Sequence, residues 1–155
     1  LVFTLAMITF QDFKERQVWA FLFPLFGILG GILFYNNTFS SFYLISIAIN
    51  LGIVICIILA NFLISKFLLK KNFFKEALGL GDLLFFVGFA LSFPTITFVN
   101  FFVFSLLFTL VLFWILKKVG KLKEQSIPLA GCMALFLGVV YLIHWTGLYK
   151  EIYIL

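Results

Sequence analysis

Long apolar runs separated by short polar breaks constrain this chain more than any other feature of its sequence. Six can be drawn, at about residues 1–10, 18–35, 42–69, 82–93, 97–116 and 127–146. A hydrocarbon core about 30 Å thick takes roughly 20 apolar residues to cross as helix, and within it every backbone N–H and C=O must be satisfied inside the segment. The runs therefore predict an all-α fold, a single membrane-embedded domain over residues 1–155 with six transmembrane helices. As one helix, residues 82–116 would measure about 50 Å at 1.5 Å per residue, too long for one crossing. Pro94 divides that stretch, because proline removes a helical N–H and clashes with the preceding turn. Composition agrees: with 65% hydrophobic and 11% charged residues, a soluble domain of this size has too little interior to hide its apolar surface.

The net charge of +5 raises nucleic acid as a possible partner, but the positions of the cations exclude it from the reading. Lys14 and Arg16 fill one break, Lys66, Lys70, Lys71 and Lys75 the next but one, and Lys117, Lys118, Lys121 and Lys123 the next but one again. The intervening breaks at 36–41 and 94–97 hold no Lys or Arg, and Lys150 alone falls on their side. An excess of Lys and Arg in alternate loops marks the cytoplasmic face, which puts the N-terminus outside. Cys56 and Cys132 lie in apolar runs without paired spacing, so neither a metal site nor a disulfide framework is expected, and each reads as a small buried hydrophobe. No cleavable signal peptide is expected either, since the first run leads into Asp12 without a small-residue cleavage site.

Two acids sit where acids are costly. Asp82 ends Gly79-Leu80-Gly81-Asp82 at the head of an apolar run, and Asp12 closes the first run. Ionisable groups at membrane depth are expensive unless paired or wetted, and so are candidates for function. The charge pattern places both on the cytoplasmic side, distant in sequence and level in depth. Non-helical backbone at Gly79–Gly81 would require a protein-lined or water-filled recess. Two carboxyls sharing one proton hydrolyse amides: the ionised one draws a proton from water while the protonated one activates the scissile carbonyl. The plainer readings are a helix cap for Asp82 and a solvated loop acid for Asp12.

Gly79-Leu80-Gly81-Asp82 matches the GxGD signature of membrane aspartyl proteases. With Asp12 followed four residues later by Arg16, and with Ile127-Pro128-Leu129-Ala130 opening the last run, the chain resembles the type IV prepilin and preflagellin peptidase family over essentially its whole length. The resemblance implies catalytic Asp12 and Asp82, a site shaped by Gly79, Gly81, Arg16 and Pro128, and no metal or organic cofactor. It implies an endopeptidase in the cell's inner (plasma) membrane, multi-pass, whose active site faces the cytoplasm. The substrate would be a prepilin-like protein with a basic leader before an apolar helix, cut at the membrane edge, with Glu15, Glu76 and Glu124 as candidate partners for the leader. The family's usual Ile-Pro-Asn after the Arg is Val18-Trp19-Ala20 here, and Leu84 stands where many members have Lys. Bifunctional members add a cysteine-rich metal-binding region and a methyltransferase activity; these residues contain no such region, so peptidase activity alone is expected.

A rival from another class is a small proton- or ion-coupled transporter that uses the same two aspartates; broken helices at membrane depth suit that too. An inactive assembly subunit is a third. The remaining features read as packing. Gly27 and Gly31 form a small-residue pair for helix contact within the bundle. Asn50 and Asn61 are expected to bond across helices. His144, beside Trp145 near the outer end of the last run, reads as an interfacial residue far from both acids.

Overall fold

The computed structural model describes residues 1–67, 79–118, 128–147 and 152–153, and among these every regular element is a helix. α1 spans Val2–Glu15, α2 Leu22–Asn36, α3 Ser40–Phe67, α4 Leu80–Ser92, α5 Thr95–Lys118 and α6 Leu129–Trp145. One helix falls on each apolar run, as expected, but their lengths differ from the simple picture. Among the described residues, α3, with 28 residues, and α5, with 24, are the helices long and apolar enough to cross a bilayer unaided. α4, with 13 residues, rises only about 20 Å. The structure thus shows two helices of spanning length and does not show the six expected.

The surface explains where the apolar residues go. An apolar helix at the centre of a soluble protein is mostly buried, whereas 11% and 17% of the most apolar windows of α3 and α5 are buried here. Ile45, Leu59, Phe104 and Trp114 point outward along them. An exposed apolar surface of this size marks a face for membrane or for a partner. These two candidate transmembrane helices point to a membrane protein.

α4 lies at the centre of the bundle. Phe85 and Phe89 on it, and Phe93 just past its end, are fully buried. Their rings meet Phe26 of α2, Phe98 and Phe102 of α5, and Tyr141 of α6. Phe89 and Phe98 meet edge to face, with centroids 5.5 Å apart and planes at 86°. In that arrangement the positive ring edge faces the negative ring face. A chain rich in phenylalanine thus builds an aromatic core around a helix with room for it.

Glycine supplies that room. α2 and α4 run parallel and approach so closely that a Cβ on Gly27 would lie 3.1 Å from the Gly88 Cα. The small-residue pair on α2 thus serves contact inside the bundle, as read: Gly27 faces Gly88, and Gly31 faces Leu91 and the Tyr43 hydroxyl. A Cβ on Gly88 would meet Phe26 at 2.9 Å and the Phe23 carbonyl at 3.2 Å. Since that carbonyl is backbone, Gly88→Ala should force the helices apart and cost about 1–3 kcal/mol as overpacking. The expected result is a lower melting temperature in detergent; an unchanged one would deny the close approach.

Pro94 ends α4 where predicted, and the break needs repair. Helix geometry would pair the Ala90 carbonyl with the N–H of residue 94, which proline lacks. Asn50 of α3 fills the gap: its fully buried side-chain amide donates to Ala90 O at 3.0 Å and Phe93 O at 2.8 Å. Here the expected cross-helix bond is present. Asn61 differs, since its amide donates to Ile57 O within its own helix. Asn50→Leu keeps the volume and removes the side-chain donor from both carbonyls, so a loss of about 1–3 kcal/mol is expected in thermal unfolding.

The contacts order the helix ends. α3 runs against α4, and α1 against α6 with Thr9 beside Gly131. The described cations Lys14, Arg16, Lys66, Lys117 and Lys118 all close α1, α3 or α5, the end at which α4 and α6 begin. Lys70, Lys71, Lys75, Glu76, Lys121, Lys123, Glu124, Ile127 and Lys150 lie outside the described residues. Cys132 is buried as expected, whereas Cys56 is exposed on the outer face of α3, contrary to its reading as a buried hydrophobe.

Candidate active site

The first turn of α6 is where the chain's two costly acids meet. A helix leaves its first N–H groups without intrahelical partners, and its dipole makes that end positive. α6 begins after Pro128, whose carbonyl accepts the first helical bond from Cys132 N, and no side chain of its own caps it. Two other helices supply the missing acceptors. Ala130 N–H donates to Asp82 Oδ1 of α4 at 3.0 Å, and Gly131 N–H donates to Asp12 Oδ2 of α1 at 2.6 Å. Consecutive amide nitrogens are separated by one residue, so the two accepting oxygens lie within about 10 Å of each other. Both acids are partly buried.

Local structure aims each carboxyl. α1 does not stop before Asp12, as the expected span at residues 1–10 implied; it continues to Glu15, so Asp12 projects from its last turns. The helix then stops at Arg16, in the left-handed conformation with φ 56°. That conformation costs a non-glycine residue about 1–2 kcal/mol. The turn leaves the Arg16 charge near enough to act on Asp12. Gln11, buried beside Asp12, accepts from Trp19 N–H at 3.1 Å and ties the end of α1 to the approach to α2.

On α4 the cap is Gly79 and not Asp82. Gly79 is extended, at φ −71° and ψ 149°, while Leu80 and Gly81 are already helical. The expected irregular backbone at Gly79–Gly81 is thus a single residue, and Asp82 occupies the third helical position. From there its carboxylate lies on the side of the helix start, with Gly79 close by. The glycines fit this geometry. A Cβ on Gly79 would press on Asp82 Oδ2 at 3.3 Å, and one on Gly81 would press on the Phe23 ring at 3.3 Å. Pro128 is the residue at which α6 starts.

Gly131 was missed by the sequence reading, which stopped at Ala130. Its Cβ would fall 2.8 Å from both Cβ and Oδ2 of Asp12. Only glycine lets α1 come this close. A helix start after Pro128 was a usable signal, since the amides of its first turn had to find acceptors. His144 lies at the other end of α6, about 20 Å along the helix from Gly131. Among the described residues no group of three or more His, Cys, Asp or Glu side chains is placed to hold a metal ion.

Chemically, the arrangement brings two carboxyls to one helix N-terminus, each fixed through one oxygen and with another oxygen left for further bonding. No family model matches the chain, and no curated protein or solved structure does.

Proposed function

We propose that the protein is a six-span integral membrane aspartyl endopeptidase of the prepilin-peptidase type, cutting the basic leader of a prepilin-like protein at the cytoplasmic face of the inner membrane. The observation that carries this reading is the convergence of Asp12 and Asp82, 70 positions apart in the sequence, on the adjacent amides of Ala130 and Gly131. Solvated loop acids have no reason to meet there. The cations closing α1, α3 and α5 lie at the same end of the bundle, which supports a cytoplasmic site.

In the proposed reaction the two carboxyls hold one proton between them. The ionised one removes a proton from water as it attacks the scissile carbonyl, and the protonated one gives its proton to the carbonyl oxygen. The amides of Ala130 and Gly131 keep one oxygen of each acid fixed, so the geometry is set before substrate arrives. Glu15, exposed and 4.0 Å from Lys14, remains the described acid available to a basic leader.

The test is co-expression with a prepilin-like substrate carrying a basic leader and an apolar helix. Cleavage at the leader boundary supports the reading. Ion-gradient-driven uptake into vesicles, with no cleavage, would replace it with the transporter.

A further inference from the structure

A furrow of about 620 Å³ follows the seam between α1 and α6 on the outside of the bundle. It extends from Val2 and Leu142 at one end to Lys14 at the other, about 18 Å at 1.5 Å per helical residue. Its walls are apolar apart from Thr9 and Lys14. The Thr9 hydroxyl is already engaged, 2.8 Å from the Leu5 carbonyl and 3.3 Å from the Gly131 carbonyl, and the Lys14 ammonium sits over the Phe10 ring. Away from the Lys14 ammonium at one end, nothing inside offers a free bond to peptide backbone.

The geometry points to this furrow as the seat of the substrate's apolar helix, leading the helix's cytoplasmic end to Asp12. The inference rests on the peptidase reading and specifies how that site takes its substrate. Three observations support it. An extended peptide would leave its N–H and C=O groups unpaired against this surface, whereas a helix satisfies its own. The floor is made of Ala6, Ala134 and Gly138, and small residues are what allow helices to approach closely in lipid. Finally, the floor leads into the site: Gly131, Leu135, Gly138 and Leu142 share one face of α6, and Gly131 is the residue whose amide holds Asp12.

Gly138 lines the furrow and a Cβ there meets no atom within 4 Å, so a larger side chain at this position enters the furrow from its wall. The full-length protein, reconstituted with a substrate of basic leader and apolar helix, is assayed as wild type, Gly138→Phe and Ile143→Phe. Ile143 is exposed on α6 outside the furrow. Gly138→Phe should raise KM at least tenfold with little change in kcat, and Ile143→Phe should change neither. A photo-crosslinker replacing Leu135 in an Asp82→Asn background should label the substrate helix; this measurement does not depend on how Gly138→Phe folds. If wild type cleaves while Gly138→Phe keeps its KM and the crosslinker labels phospholipid alone, the furrow is a lipid seat and only this inference fails. If wild type cleaves no such substrate, the peptidase reading fails and takes the furrow with it.

Discussion

Asp82→Asn, and separately Asp12→Asn, should reduce leader cleavage by at least about 10³-fold while the protein stays folded and inserted. The substitution is chosen because it separates the two roles the geometry allows. As a cap, each side chain needs only an oxygen that accepts from Ala130 or Gly131 N–H, and asparagine has one. Loss of the charge near the positive end of α6 costs about 0.3–1 kcal/mol, up to about 2 kcal/mol in a partly buried setting. A small drop in melting temperature is therefore expected from either variant. As a proton-sharing pair, both acids are indispensable, since an amide neither draws a proton from water nor gives one up. The double variant should be no worse than either single one, because residues that act as a unit lose their effect together. Cleavage persisting in either Asn variant would leave the aspartates as interhelical caps and remove the basis for a peptidase.

The helices were legible because their signals are local. Apolar runs, Pro94 and the alternating cations each report on a few neighbouring residues, and all six helices fall where those signals put them. Asp12 and Asp82 were legible as a pair for a different reason: acids abutting apolar runs at membrane depth are costly, so two of them on one side of the predicted topology invited an explanation. Their common anchor was harder to see. Gly131 looks like any small residue in an apolar run, and its importance follows from the approach of α1, a tertiary fact. The same holds for Gly88, whose neighbours Phe23 and Phe26 lie on α2. Asn50 was readable as a cross-helix donor, but its partners depend on which carbonyls Pro94 leaves free. Cys56 was misread because burial was inferred from an apolar run, whereas in a bundle facing lipid the apolar surface is also the exterior.

Gly131→Ala should lower kcat by about 10²-fold with little change in KM, the cost expected when reacting groups move by about 1 Å. The added methyl would sit 2.8 Å from the Asp12 Cβ as well as from its Oδ2. The Oδ2 contact alone could be relieved by rotating the carboxyl, which would break its 2.6 Å bond to the Gly131 amide. The Cβ contact has no such relief, because that atom is fixed to the backbone of α1. Either α1 or the start of α6 has to move, and both Asp12 and the Ala130 amide that holds Asp82 move with them. Overpacking of this kind costs about 1–3 kcal/mol, so a lower melting temperature should accompany the kinetic loss. Gly52→Ala is the control, since Gly52 lies in α3 with no atom within 4 Å of its would-be Cβ. There the same change should add about 0.5–1 kcal/mol of helix stability and leave cleavage unchanged. If Gly131→Ala matched Gly52→Ala in both rate and melting temperature, α1 and α6 would not be in contact at this residue, and the two acids would lose the amides that bring them together.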